Sequence, residues 1–185
     1  MNFIIEDGSN VPNANAYTSV EFADMYFDDR GITAWSDFTT EQKQQRIVIA
    51  TQYIDTRWFN QFKGEQFYED QSLQFPRDFW TTKVTDPVTE EVTVVPIMPT
   101  VLLQACCEYA FAVNGETMSL AGNFETSETG DRIKRKKEQV GTLQTDTEYF
   151  SPGNAQGSVW ATYTIADNLM NPLLAQRVVW RCIRN

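Results

Sequence analysis

The chain has 185 residues and no histidine, and this absence excludes several common kinds of catalytic and metal site. Histidine is the commonest general base, the partner in Ser–His and Cys–His nucleophile pairs, and the commonest transition-metal ligand. Cysteine is also scarce: Cys106 and Cys107 are adjacent in an apolar stretch, and Cys182 lies far away along the chain. Adjacent helical residues point in different directions, so neither a disulfide nor a zinc site is expected. We expect Cys106 and Cys107 to be buried thiols.

Other features of known function are missing as well. No apolar run approaches the ~20 residues that span a bilayer. The first residues lack the basic region and apolar core of a secretion signal, and no glycine-rich phosphate loop is present. Asp24, Asp28 and Asp29 lie close together in the sequence, but a solvated helix face explains them better than a carboxylate site does. We therefore expect a soluble, intracellular protein that is not an enzyme and has no cofactor, metal or membrane partner.

Positive charge is scarce in the first part of the chain and concentrated in the last part. Residues 1–131 hold 7 Lys/Arg and 21 Asp/Glu, a net charge of −14, whereas residues 132–185 hold 8 and 4, a net charge of +4. This asymmetry predicts an acidic body, residues 1–131, and a basic arm, residues 132–185, that binds a different partner. The candidate docking residues lie in the arm: Arg132, Lys134, Arg135, Lys136, Lys137, Arg177, Trp180, Arg181 and Arg184.

Each group of arm residues has more than one interpretation. The cluster of residues 132–137 is a solvated linker, a segment that docks onto an acidic protein surface, or a nucleic-acid contact. The last of these is disfavoured because no aromatic residues are interleaved for base stacking. Arg177, Arg181 and Arg184 fall on one arc of a predicted terminal helix that also carries Trp180. That helix is a docking element or an amphipathic helix that packs on its own body.

The periodicity of apolar residues predicts about four helices. Capping-box spacing starts the first helix at Thr18 with Glu21, and the second at Thr39 with Gln42, running to about Trp58. Pro99 opens the third helix, with an apolar stripe of Leu102, Ala105, Cys106, Tyr109 and Val113, and Asn114-Gly115 ends it. Pro172 starts the fourth, which runs to the C-terminus.

Two further segments read as extended. Alternation of β-branched and polar residues over Thr81–Val95 predicts a hairpin of Lys83–Thr85 against Val92–Val95. The stretch from Gln139 to Phe150, which contains Gly141, also alternates. The fold class is therefore predicted to be mainly α: a small bundle of about four helices, with a β-hairpin-like insert near residues 81–96 and an extended C-terminal arm ending in a helix.

A succession of short motifs along the first 110 residues is shared with a known family. The motifs are Ala16-Tyr17-Thr18-Ser19, Ala23-Asp24-Met25-Tyr26-Phe27, Arg30-Gly31, Trp35, Ala50-Thr51-Gln52-Tyr53-Ile54-Asp55, Phe62-Lys63-Gly64, Gln74-Phe75-Pro76-Arg77 and, after Pro99, Ala105-Cys106-Cys107-Glu108-Tyr109-Ala110. Lys137-Glu138-Gln139-Val140-Gly141 and Glu148-Tyr149 continue the likeness. This order resembles the head–tail connector adaptors of tailed bacteriophages, some of which are labelled DnaT-like single-stranded-DNA-binding proteins.

The resemblance implies a virion protein at the head–tail interface, present in the host cytoplasm during assembly. Its implied partners are the portal protein, tail tube, nozzle or fibre proteins, and other copies of itself in a ring of twelve. Double-stranded DNA would pass through the ring without specific binding, which suits an acidic wall. The alternative function is a single-stranded-DNA-binding replication accessory. The hairpin-like insert departs from the family pattern, and its role stays open.

Overall fold

The computed structural model describes residues 2–115, 120, 133–139, 144–149 and 162–175, with the last two strands described by backbone and register alone. The elements follow the order α1, α2, β1, β2, α3, β3, β4 and α4. The chain divides into two compact units. The first unit comprises residues 1–120 and 163–185, and the second comprises residues 121–162.

Helix α1 spans Val20–Asp28, and its N-cap is Ser19 rather than the predicted Thr18. The Ser19 hydroxyl accepts a hydrogen bond from the amide of Phe22 at 3.1 Å. Thr18 is buried beside Cys107, so its side chain faces the core and cannot reach the helix amides. The capping-box spacing of Thr18 and Glu21 was therefore misleading by one residue.

Helix α2, Thr40–Arg57, confirms the predicted start and end. The Thr39 hydroxyl accepts from the Gln42 amide and the Gln42 side chain accepts from the Thr39 amide, a complete capping box. Helix α3 spans Thr100–Ala112 with Pro99 as its N-cap. Its predicted apolar stripe is buried from Leu102 to Val113, and both Cys106 and Cys107 are buried free thiols, as predicted.

The core lies where α3 packs against α2 on one side and α4 on the other. An aromatic cluster joins the three helices, with ring centroids 5.1 to 5.8 Å apart. It consists of Tyr53 of α2, Tyr109 of α3 and Tyr163, the N-cap residue of α4. Phe27 and Trp35 pack together at 4.9 Å and close the end formed by α1. These large rings supply much of the buried apolar area that stabilises a first unit of this size.

The predicted C-terminal helix is wrong over its described part. Helix α4 spans Thr164–Met170 and runs into a short 3-10 turn, Asn171–Leu173, that contains Pro172. The chain then becomes extended at Leu174, which forms a bridge with Phe62. Pro172 thus lies in the short 3-10 turn after α4 and does not open a helix to the C-terminus over the described residues, and residues 163–175 lie in the first unit.

The predicted insert is confirmed as an antiparallel hairpin of β1, Thr81–Thr85, and β2, Val92–Pro96. Lys83 pairs with Val94 and Thr85 with Val92. The extended segment is likewise a hairpin, of β3, Ile133–Gln139, and β4, Gln144–Tyr149, with Gly141 outside the described residues. Over the described residues, four helices and two hairpins make the fold mixed helical and β, so the prediction of a mainly α fold was too narrow.

Candidate docking surfaces

Four of the nine predicted docking residues lie in described structure. Lys134, Arg135, Lys136 and Lys137 are consecutive residues of β3. The other predicted residues lie outside the described residues, so their arrangement stays a prediction: Arg132, Arg177, Trp180, Arg181 and Arg184. The basic cluster is therefore part of a strand pair and not a bare linker.

The register of β3 against β4 places acidic residues opposite two of these basic ones. Arg135 lies opposite Glu148, and Lys137 lies opposite Asp146. Lys136 lies opposite Thr147, and a register shift separates Ile133 from Arg135. Opposite charges directly across an antiparallel pair favour the pairing and reduce the net charge of the hairpin. The two strands together carry four basic and three acidic residues, so this hairpin is close to neutral although β3 itself is basic.

Two basic residues of α2 are buried and have their polar partners within the first unit. Lys43 forms an ion pair with Asp24, Nζ to Oδ1 2.8 Å, and its side chain is 11% exposed. Arg46 stacks on the Phe38 ring at 3.8 Å and donates to the Val113 carbonyl at 2.7 Å. Arg46 thereby satisfies a carbonyl at the C-terminal end of α3. Neither cation is available to a partner.

Two further arginines join distant segments of the chain. Arg57 pairs with Asp167, Nη2 to Oδ2 2.8 Å, and so links α2 to α4. The Tyr109 hydroxyl donates to the other oxygen of Asp167. Arg77 is buried and donates to the carbonyls of Lys63, at 2.9 Å, and Gly64. These arginines, like Lys43 and Arg46, thus help to hold the fold of the first unit together.

The surface that remains is strongly acidic. Among residues 2–115, two basic residues, Arg30 and Lys83, are exposed, whereas fourteen acidic residues are. The exposed acidic residues are Asp7, Glu21, Asp24, Asp28, Asp29, Asp37, Glu41, Glu65, Glu69, Asp70, Asp78, Asp86, Glu90 and Glu91. Phosphate backbones bind to clustered Lys and Arg, so this surface repels nucleic acid.

The β1–β2 hairpin presents the main exposed apolar surface of the described residues. Val84, Val88, Val92 and Val94 are exposed by 51%, 88%, 54% and 48%. Residues paired across the two strands lie on the same face of the hairpin. Val84 is paired with Thr93, whereas Val94 is paired with Lys83 and Val92 with Thr85. Val84 therefore lies on one face, and Val92 and Val94 lie on the other. Neither face is covered by the rest of the first unit. We call residues 79–97 the hairpin surface.

The segment before the hairpin is held by a glycine that no other residue replaces without strain. Gly64 has φ +70°, and an added Cβ would lie 2.2 Å from Asp78 Oδ1 and 2.9 Å from the Cβ of Phe79. Asp78 Oδ1 in turn accepts from the Glu65 amide at 2.8 Å. This close packing of residues 64–65 on residues 78–79 fixes the position of the chain just before β1.

A buried Tyr–Asp pair anchors the same segment to the core. The Tyr17 hydroxyl donates to Asp55 Oδ1 and accepts from the amides of Gln74, at 3.1 Å, and Phe75, at 3.3 Å. Burial raises the pKa of Asp55 to about 6, and hydrogen bonds from Tyr17 and Gln74 oppose part of that rise. Burial and the Asp55 charge raise the pKa of Tyr17 well above its ordinary value. The pair positions residues 74–75.

The described residues offer no metal site or membrane segment. No group of three or more potential metal ligands occurs in the part of the chain that the structure describes. None of the described helices has the length and apolar character needed to cross a bilayer. Asp24, weighed as a carboxylate-site residue, accepts from Trp35 Nε1 at 2.7 Å and from Lys43, so it holds α1 to its neighbours. Burial raises the pKa of Cys106 to about 12, which makes it a poor nucleophile.

Fold and surface define a small mixed helical and β protein with an acidic face and a projecting apolar hairpin. The whole chain, residues 1–185, matches the family described as "Putative DnaT-like ssDNA binding protein", and the chain belongs to that family. No curated protein and no solved structure matches the chain.

Sequence reasoning missed two features of these surfaces. Net charge showed that residues 1–131 are acidic, but it did not show that Lys43, Arg46 and Arg77 turn inward. The partners that bury these three side chains are mostly distant in the sequence, so local sequence patterns do not predict their burial. The valines of the hairpin surface were visible as an alternating pattern, but alternation normally predicts one buried face. Here both faces are exposed.

Proposed function

We propose that the chain is a structural docking protein without catalytic activity, which acts as a head–tail adaptor of a tailed-phage virion. It would assemble as a ring through two different surfaces of each copy, with twelve copies as the resemblance implies. The ring would dock under the portal, extend the DNA channel and offer a platform to tail tube, nozzle or fibre proteins. Its place would be the head–tail interface, and the host cytoplasm during assembly.

One observation carries this proposal: the exposed charge of residues 2–115 is almost entirely acidic. Fourteen exposed acidic residues against Arg30 and Lys83 make a wall along which DNA can slide without sticking. Such a surface suits a channel or a protein-binding face better than a phosphate-binding groove. The exposed valines of the hairpin surface favour a protein partner for the same chain.

The second candidate function is single-stranded-DNA binding, and the family description favours it over the adaptor. Such binding needs a positive groove with stacking aromatic side chains. Of the described elements, β3 alone concentrates basic residues, and Arg135 and Lys137 lie opposite acidic residues of β4. Any nucleic-acid contact would therefore start at β3 and not on the surface of the first unit.

The adaptor proposal is tested by binding of the full chain to purified portal rings from the same genome, followed by sedimentation and negative-stain imaging. The matched variant ends at Ala175, which removes Arg177, Trp180, Arg181 and Arg184. The cut keeps Leu173, which is buried, and Leu174, which bridges to Phe62. We expect the full chain to form a ring on the portal and the truncated chain to stay folded but to lose docking.

The possible results separate the two functions. Docking that persists in the truncated chain contradicts the assignment of the terminal arginines to the portal. A full chain that ignores the portal but binds labelled oligo-dT at micromolar concentration, losing that binding steeply between about 50 and 200 mM salt, supports the second candidate instead. Arg177→Ala, Arg181→Ala and Arg184→Ala together serve as the control that separates charge from chain length.

A further inference from the structure

Exposed apolar side chains of the described residues are concentrated in one place. Of the nine large hydrophobic residues that are exposed there, six lie on the hairpin surface: Phe79, Val84, Val88, Val92, Val94 and Ile97. The valines lie on both faces and at the tip of the hairpin, and such a concentration of exposed apolar side chains on one element marks an interaction site. The hairpin surface is therefore expected to be covered in the assembled protein.

The backbone of this hairpin is also available for pairing. β1 and β2 form a sheet of two strands, so each has one edge without a neighbour in the sheet. A two-stranded hairpin is marginally stable alone, and a free edge is a template for another strand. The tip is acidic: Asp86 accepts from the amides of Val88 and Thr89, while Glu90 and Glu91 are exposed. The occupant should therefore be an extended, basic segment.

The chain itself contains such a segment. β3 is extended and carries Lys134, Arg135, Lys136 and Lys137, and among the described strands it pairs with β4 alone. We propose that the hairpin surface of one copy binds the β3 edge of a second copy, so that the acidic tip meets the basic strand. This inference rests on the proposed ring assembly and names its interface.

The charges also decide how the copies are arranged. Two hairpin surfaces facing each other would bring Glu90 and Glu91 of both copies together, which is unfavourable. A contact between two different surfaces is head-to-tail, and such contacts generate rings when the rotation closes. The terminal arginines then remain for the portal, and β3 acts between copies.

A charge-swap experiment on the full chain tests this interface. One variant carries Glu90→Lys and Glu91→Lys, a second carries Lys134→Glu and Lys136→Glu, and a third combines all four changes. The exposed pair Glu21→Lys and Glu69→Lys is the control, because it changes the net charge equally but lies outside the hairpin surface. Self-association is measured by sedimentation velocity over a concentration series, with thermal unfolding to verify the fold.

We expect each charge reversal alone to weaken self-association by about tenfold or more, and the combined variant to recover it. The control should associate like the unmodified chain. The proposal is overturned if the unmodified chain stays monomeric, if either reversal leaves association unchanged, or if the combined variant does not recover it. Portal docking by the same variants is scored separately, so a failed interface leaves the adaptor function standing if docking persists.

Discussion

At the scale of single residues, two glycines with similar backbone conformation have very different surroundings. Gly31 has φ +67° with no atom within 4 Å of an added Cβ, whereas Gly64 has φ +70° and is packed against Asp78 and Phe79. The first position therefore needs glycine for its backbone alone. The second needs it for its backbone and for the approach of a neighbouring segment.

Replacing each glycine by alanine separates these two costs. We expect Gly31→Ala to lower the free energy of unfolding by about 1 kcal/mol, from the left-handed backbone alone. Gly64→Ala should cost about 2–4 kcal/mol, because the Asp78 carboxylate must also move and release the Glu65 amide. Urea unfolding of the two variants measures the difference. Equal losses would show that the packing of residues 64–65 on 78–79 is not tight.

Asp55 gives a pH dependence whose sign follows from its raised pKa. The folded protein holds the Asp55 proton up to about pH 6, whereas the ordinary value is 3.8. Its contribution to stability is therefore full below pH 3.8 and is lost as the pH rises through 6, an effect of about 2–3 kcal/mol. The difference in unfolding free energy between the unmodified chain and Asp55→Asn should change by that amount between pH 4 and 7.

The control for this pH effect is Asp37→Asn, at an exposed carboxylate. Its difference from the unmodified chain should stay flat over the same range of pH. If Asp55→Asn also gives a flat difference, Asp55 does not titrate in this window, and burial beside Tyr17 does not raise its pKa.

At the scale of elements, the sequence predicted those helices and strands whose signals are local. Thr39 and Gln42 form their capping box and start α2, and the alternation over Thr81–Val95 is the β1–β2 hairpin. These succeed because capping and alternation depend on residues a few positions apart. Much of the hairpin surface could thus be placed from sequence, although its exposure could not.

Helix α4 was not predicted, because its stabilising contacts are tertiary. Pro172, within the predicted arm of residues 132–185, was instead predicted to start a helix that runs to the C-terminus. Residues 163–175 are held by contacts with segments about a hundred residues away, such as Asp167 with Arg57 and the Leu173 carbonyl with the Lys63 amide. Local pattern cannot show such partners. The burial of Lys43 and Arg46 escaped prediction for the same reason.

The ion pair between α2 and α4 should be a strong contributor to stability. Arg57 and Asp167 have side chains 10% and 17% exposed, so removing one partner leaves a largely buried charge. We expect Arg57→Met to lower the free energy of unfolding by about 3 kcal/mol. Arg30→Met, at an exposed arginine, is the matched control and should cost well under 1 kcal/mol beyond its stacking on Tyr26. A similar loss in both variants would contradict the link between α2 and α4.

At the scale of the whole molecule, the distribution of charge connects the fold with the proposed function. Buried cations hold the first unit together, and acidic residues face the solvent. The basic residues of β3 and of the C-terminal segment are thus left as the places for contact with acidic surfaces. Under the proposed function this arrangement serves protein partners, in a ring and at the portal, whereas the family description points to single-stranded DNA.

The most direct test of this account is a titration of fluorescent oligo-dT with the full chain at low salt, followed by anisotropy. We predict no saturable binding up to tens of micromolar protein, because the exposed acidic surface of residues 2–115 repels phosphates. Saturable micromolar binding that weakens steeply with salt would contradict it and would establish single-stranded DNA as the partner.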